Sequence, residues 1–236
     1  MISNNLDLKI ENYKKLKRDF KIRKSHNYIE FVFPSGKKVF QNKSEKFSKG
    51  LFLFRMVKKD VLEYLKENEE VEPFDKLPVN YHNKDYDFSK AIIGIDINNA
   101  YWRVAYLKGY ISEKTYNKGI EDKKGFKAIR LSALSSLGRS RTYEVFVKGI
   151  FSHDEVHPED KRLKNIYDDI RFSTFGVMLE CSELLGDDFH SWRTDCINFY
   201  DTDYNRKKVI DFFESYNLEW KIEERVVKMK GAKRME

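Results

Sequence analysis

Asp96 closes a short apolar run, Ala91 to Ile95, and is followed at once by Asn98, Asn99, Ala100, Tyr101 and Trp102, which read as the start of a helix. A carboxylate at the end of a buried strand, facing the start of the next helix, can hold a divalent cation while the helix's free backbone N–H groups receive phosphate oxygens. That suits nucleotide chemistry, although an aspartate in this position can also do no more than cap the helix. His153 and His157 stand four apart, a zinc-like spacing, but Pro158 adjoins them and no third strong ligand accompanies them, so no metal is expected there. The only two cysteines, Cys181 and Cys196, exclude a disulfide framework and a four-cysteine zinc site, and Cys196 reads as a packing residue.

The elements that must position Asp96 follow from the apolar spacing. A strand ends at Asp96 and a helix starts at Asn98; a Lys- and Gly-rich loop from Lys114 to Gly125 leads to a helix over Phe126 to Leu137 that Gly138 ends. Thr142 to Ile150 alternates as a strand does, His153 to Arg162 reads as a polar loop, and Asn165 to Leu185 as a long helix. A tight hairpin over Ser191 to Tyr200, a helix over Asn205 to Tyr216 and a strand from Leu218 complete this part. Before it, Asp7 to Lys24 reads as a basic helix, Tyr28 to Phe40 as a hairpin turning at Pro34-Ser35-Gly36, and Leu51 to Asn68 as an amphipathic helix. Glu70 to Lys90, with Pro73 and Pro78, reads as a linker. Two domains are therefore expected, residues 1–86 and residues 87–236.

The 236 residues are 41% apolar and 15% aromatic, enough for a buried core and unlike a disordered chain. No run approaches the roughly 18 apolar residues of a membrane helix, and Met1 to Lys15 lack a signal peptide's apolar stretch, so a soluble cytoplasmic protein without a membrane partner is expected. The formal charge of +7 suits a polyanionic partner. Basic residues crowd two places: Lys14, Lys15, Lys17 and Arg18 near one end, Lys228 and Lys230 near the other. Such runs are commonly just solvated faces.

Three segments in order carry a resemblance. Asp96 with a tyrosine, Tyr101, at the fifth position after it resembles motif A of family B DNA polymerases. Arg130 to Gly138 resembles motif B, with Arg130, Ser135 and Gly138 matching and Leu134 and Leu137 standing where the family has Asn and Tyr. Arg193-Thr194-Asp195 resembles motif C, the Asp-Thr-Asp hairpin, with Asp195 at the second aspartate and Arg193 in place of the first. Tyr200-Asp201-Thr202-Asp203 is a more literal Asp-Thr-Asp, but a charged helix follows it at once and Asp203 is placed as an N-cap. The resemblance covers about residues 87 to 231.

It implies an α+β fold: an antiparallel-sheet polymerase palm with helices on one face, joined to a small N-terminal helix and hairpin domain. It implies Asp96 and Asp195 as catalytic carboxylates holding Mg²⁺ or Mn²⁺, which permits two-metal phosphoryl transfer onto a primer 3′-hydroxyl. Asn98, Asn99, Ala100, Tyr101, Lys127, Arg130 and Ser135 become nucleotide-binding. Tyr101 would exclude a 2′-hydroxyl, while Lys127 and Arg130, three apart on a helix, would reach phosphates. The partners implied are deoxynucleoside triphosphates and DNA, as primer-template or single strand, with Lys14, Lys15, Lys17, Arg18, Lys228 and Lys230 as DNA contacts.

Departures shape the expectation. Asp96 and Arg130 are 34 positions apart, which leaves little room for fingers, and no thumb is visible, so a protein partner would supply a thumb or clamp. Three functions stand side by side: a minimal nucleotidyltransferase, a catalytically weak or inactive nucleic-acid-binding or structural descendant of one, and a ribonuclease-H-like nuclease drafting Glu180 and Asp195 beside Asp96. A small phage or plasmid replication protein would suit the compact design.

Overall fold

The structure is a computed structural model that describes residues 10–24, 28–42, 51–68, 71–72, 78, 80–83, 90–121 and 126–223. Among the described residues the chain forms an α+β protein with two five-stranded antiparallel sheets. Its two compact units are each discontinuous in sequence: Met1–Glu72 with Gly109–Tyr167, and Pro73–Lys108 with Asp168–Glu236. The sequence division at 86/87 differs from this because residues 109–167 group with the N-terminal segment. Among the described residues no helix is long and apolar enough to cross a membrane.

The first unit holds β1 (Phe20–Lys24), β2 (Tyr28–Val32), β3 (Lys38–Asn42) and helix α1 (Leu51–Glu67). The second begins with β4 (Asn80–His82), β5 (Ile92–Ile97) and α2 (Ala100–Leu107). The chain then adds α3 (Glu113–Ile120), α4 (Phe126–Ser135), β6 (Arg141–Val147) and β7 (Ile150–His157) to the first unit. Helix α5 (Lys161–Leu185) leads to β8 (Phe189–Arg193), β9 (Cys196–Tyr200), α6 (Asp203–Ser215) and β10 (Trp220–Glu223).

The first sheet runs β3-β2-β1-β6-β7. One face gathers Phe20, Ile22, Ile29, Phe31 and Phe146 with Ile10 and Tyr13 of a helical stretch at residues 10–15. Phe20 stacks on Phe146 at 4.8 Å, and Tyr13 meets Phe20, Phe31 and Phe33 at ring distances of 5.3 to 5.7 Å. Buried Glu30 takes the Tyr143 hydroxyl at 3.1 Å and faces Arg23 Nε at 3.2 Å, so its charge is compensated. Burial pushes the Arg23 pKa down. In α1, Leu53, Val57 and Val61 recur every four residues and are fully buried.

The second sheet runs β10-β5-β9-β8-β4. Four of its strands, β10-β5-β9-β8, and the helices α5 and α6 follow the chain order β5, α5, β8, β9, α6, β10, with α2 and the inserted elements of the first unit between β5 and α5; this is a split βαβ arrangement in which each hydrogen-bonded pair is antiparallel. Directly opposed residues share a face. Ile93 opposes Phe199, Ile95 opposes Ile197, and Ile197 opposes Trp192, so these form an apolar face on which Phe175 of α5 lies 6.0 Å from the Trp192 ring. The other face carries Gly94 and Asp96 of β5, Cys196 and Asn198 of β9, Ser191 of β8, and Lys221 and Glu223 of β10. Helix α6 buries Val209 and Phe213.

Several local expectations are corrected. Residues 10–15 are helical but Phe20–Lys24 is a strand, because Phe20 and Ile22 alternate into a pairing with β6 far along the chain. The expected linker contains β4, paired with β8. The expected Lys114–Gly125 loop contains α3, whose N-cap Ser112 accepts from the Thr115 N–H at 3.3 Å and donates its own N–H and hydroxyl to Asp60 Oδ2 at 2.8 Å. The expected polar loop at His153 is the edge strand β7, polar because nearly all its side chains face solvent. Thr202, not Asp203, caps α6 and accepts from the Asn205 N–H at 3.1 Å.

Candidate functional site

Asp96 sits one residue before the end of β5, opposite Cys196 on β9 and Lys221 on β10. Its residue is 8% exposed. The strand forms here because Ile92, Ile93, Ile95 and Ile97 are β-branched and can pack between two neighbouring strands. Gly94, two residues before Asp96, leaves the polar face room: a Cβ there would meet Asn198 Oδ1 at 3.0 Å and Cys196 Sγ at 3.3 Å.

Asp195 lies in the two-residue turn of the β8–β9 hairpin, where Thr194 takes a left-handed conformation with φ of 58°. The Ile97 N–H donates to the Asp195 carbonyl at 2.8 Å, so the turn is fastened beside the end of β5. Asp195 thus lies in the turn rather than on a strand, with its main chain beside the end of β5 that carries Asp96.

Asn98 ties this end of β5 to β10. Its N–H donates to the Glu219 carbonyl at 2.7 Å and its side-chain amide to the Trp220 carbonyl at 3.2 Å. Asn99 has φ of 53° and stands at the N-cap of α2 without a side-chain capping bond. The helix thus begins at Ala100, two residues later than its apolar pattern suggests. Ala100 is buried, and Tyr101 is half-buried with its ring edge toward Phe175 at 6.3 Å.

Lys127, Arg130 and Ser135 belong to α4 in the first unit. Lys127 is exposed, whereas Arg130 is buried and donates from Nη1 to the Gly119 carbonyl at 2.6 Å. The two do not share an exposed helix face. Burial lowers the Arg130 pKa, partly countered by Tyr116. Ser135 is buried and donates to the Ser132 carbonyl at 3.2 Å. Leu134 and Leu137, at the departures from motif B, are core residues.

Among the basic candidates, Lys14 is ion-paired with Glu11 at 3.0 Å, while Lys15, Lys17 and Arg18 are exposed. Neighbouring Lys21 pairs with Glu155, and Lys24 with Glu144 at 2.8 Å, so part of the basic run is neutralised within the unit. Lys228 and Lys230 lie outside the described residues.

One site residue escapes motif reading. Lys221 Nζ lies 3.0 Å from Asp96 Oδ2 and 3.7 Å from Glu223 Oε1, and its pKa is raised chiefly by the bond to Asp96. The alternation of the last strand signals that Lys221 and Glu223 share a face, but only the register against β5 reveals which face. Asp96 and Asp195 are hard oxygen donors of the kind Mg²⁺ and Mn²⁺ take, and their fit to such an ion requires the ammonium to move aside. Among the described residues no group of three or more His, Cys, Asp or Glu side chains is placed to hold a metal. His157 Nε2 instead meets Glu155 Oε1 at 2.6 Å, and His153 meets Ser152 at 3.1 Å.

A groove of about 570 Å³ in the second unit is lined by Val104, Lys108, Phe172, Val177, Glu180 and Leu218 among others, and by none of the residues that the polymerase resemblance implies. No protein-family model, curated protein or solved structure matches the chain.

Proposed function

We propose that this chain is a minimal DNA-directed nucleotidyltransferase with a palm resembling that of family B DNA polymerases, Asp96 and Asp195 being its catalytic carboxylates. One observation carries the reading: the Ile97 N–H, next in the chain after Asp96, donates to the Asp195 carbonyl at 2.8 Å, which fastens the hairpin turn beside the end of β5. Asp96 also faces the polar side of a split βαβ sheet whose other side packs on helix.

In this reading Asp96 and Asp195 hold Mg²⁺ or Mn²⁺, and the bound ions supply activation of the primer hydroxyl and neutralisation of the triphosphate. The chain's own residues do the positioning. Asn98 locks β10 to the end of β5, the start of α2 offers its N–H groups to phosphate oxygens, and Tyr101 closes the space beside the sugar's 2′-carbon. Lys127, Lys15, Lys17 and Arg18 are exposed and serve as contacts for a polyanion. A cytoplasmic replication role, with DNA and deoxynucleoside triphosphates as partners, belongs to the same reading.

The test is primer extension by the full chain with Mg²⁺ or Mn²⁺ on primed and single-stranded templates. Addition that disappears in Asp96→Asn supports the enzyme; wild type as inert as that variant under every condition rejects it. A second reading, a nucleic-acid-binding descendant that no longer catalyses, is favoured by two observations: an ammonium on Asp96 and a buried Arg130 engaged with a main-chain carbonyl. It predicts salt-sensitive DNA binding without nucleotide addition. The nuclease reading is weakened because Glu180, which it would draft, lines the groove and accepts the Tyr216 hydroxyl.

A further inference from the structure

On the polar face of the second sheet, Asp96 has a thiol opposite it on one side and an ammonium on the other. The ammonium is Lys221, whose side chain is 48% exposed while that of Asp96 is 12% exposed. The carboxylate is therefore rooted in the sheet, and the cation reaches it on a flexible four-carbon stem from the solvent side. The register that sets this pair is firm, since both hydrogen bonds of Asn98 clamp Glu219 and Trp220 immediately before Lys221.

Glu223 lies two residues further along β10, on the same face. Its Oε1 is 3.7 Å from Lys221 Nζ, and its Oε2 is 4.0 Å from Cys196 Sγ. One ammonium thus stands within reach of two carboxylates, closer to the buried one. A buried carboxylate without a counter-charge is costly, so a tethered cation meets that need whenever no other cation does. The oxygen it holds is one that a divalent ion would coordinate, and the two cations cannot occupy the same position.

Resting on the reading of Asp96 as a cation ligand, we propose that Lys221 is a built-in competitor for the divalent ion: it holds Asp96 in place and yields it by swinging toward Glu223. Lys221 is a positioning residue in this scheme, acting on the reaction only through Asp96. Divalent binding becomes an exchange of one cation for another, weaker than the two carboxylates alone would give.

The experiment is a Mn²⁺ titration of the full chain, with free Mn²⁺ read by electron paramagnetic resonance and folding checked by circular dichroism. Lys221→Met keeps the stem and removes the charge, Lys221→Gln is a second neutral replacement, and Lys221→Arg keeps the charge. Either neutral variant should bind Mn²⁺ about tenfold more tightly than wild type. Lys221→Arg should stay near wild type, and adding Asp96→Asn to a neutral variant should erase the gain.

Equal or weaker binding by the neutral variants, no binding by any form, or a gain that survives Asp96→Asn would overturn the proposal. Primer extension run beside the titration separates the two readings. Tighter Mn²⁺ binding with no extension keeps the role of Lys221 and removes the polymerase. Extension by wild type with Mn²⁺ affinity indifferent to Lys221 does the reverse.

Discussion

The Ile97 N–H and the Asp195 carbonyl meet at 2.8 Å, so the residue after one candidate carboxylate is bonded to the backbone of the other. The two aspartates are held in mutual register by main chain, independent of their own side chains. Substituting either carboxylate should therefore leave the strand pairing intact.

Asp96→Asn and Asp195→Asn should each lower metal-dependent nucleotide addition by about three orders of magnitude, since each removes a ligand and its charge. Asp203→Asn, on the exposed first turn of α6, should be nearly neutral in the same primer-extension assay. Loss of activity in Asp203→Asn with Asp195→Asn unaffected would move the site to the other Asp-Thr-Asp segment.

Arg130→Ala should cost about 1–3 kcal/mol of stability, because it removes a buried guanidinium and leaves the Gly119 carbonyl without that donor. Lys127→Ala, at an exposed position, should stay within about 0.5 kcal/mol. Urea denaturation of the two variants measures both. An Arg130→Ala protein as stable as wild type would return Arg130 to the list of nucleotide contacts.

How far such roles could be read beforehand depended on how local their cause is. The strand ending at Asp96, the hairpin around Thr194 and the helix α5 rest on short-range apolar patterns and were legible. Phe20 and Ile22 read as part of a helix because their partners, Phe146 and Glu144, stand far away in the chain, and only that pairing makes them a strand. β7 reads as a loop in the sequence because an edge strand exposed on both faces has no apolar alternation to display. Of the candidate site, the place of Asp96 near a strand end and of Asp195 in a hairpin was legible. Lys221 was not, since its approach to Asp96 depends on the antiparallel register of two strands far apart in sequence. The burial of Arg130 was not legible either, because spacing on a helix does not say which face is buried.

Gly149→Ala should destabilise the first unit strongly. Gly149 has φ of 80°, and a Cβ there would fall 2.2 Å from the Lys14 carbonyl oxygen, so both backbone strain and collision oppose any side chain. A loss of about 2 kcal/mol or more is expected from thermal or urea unfolding. A variant within experimental error of wild type would mean that the β6–β7 turn and the segment at Lys14 do not touch in solution.

Acid should weaken the contact that follows β9. Asp201 accepts from Arg206 Nε at 2.5 Å and Nη2 at 2.8 Å, and this hydrogen bonding holds its carboxyl below the ordinary aspartate range. A folded-state pKa below the unfolded one contributes stability that is present above the unfolded value and is lost as pH falls through the folded one. Melting temperatures between about pH 6 and pH 2 should fall less steeply for Asp201→Asn than for wild type. Parallel acid limbs would show the pair contributes nothing.

The pairing of β1 with β6 also governs the order in which this protein can be made. Phe20 to Ile22 leave the ribosome roughly 120 residues before their partners Glu144 to Phe146. At a synthesis rate of about 5–20 residues per second the nascent β1–β2–β3 meander waits on the order of 10 s with the β1 edge open. An open edge of that kind is a template for joining another chain, so yield in the cell should depend on chaperone capture during translation. A chain released before residue 141 never receives the strand that closes it.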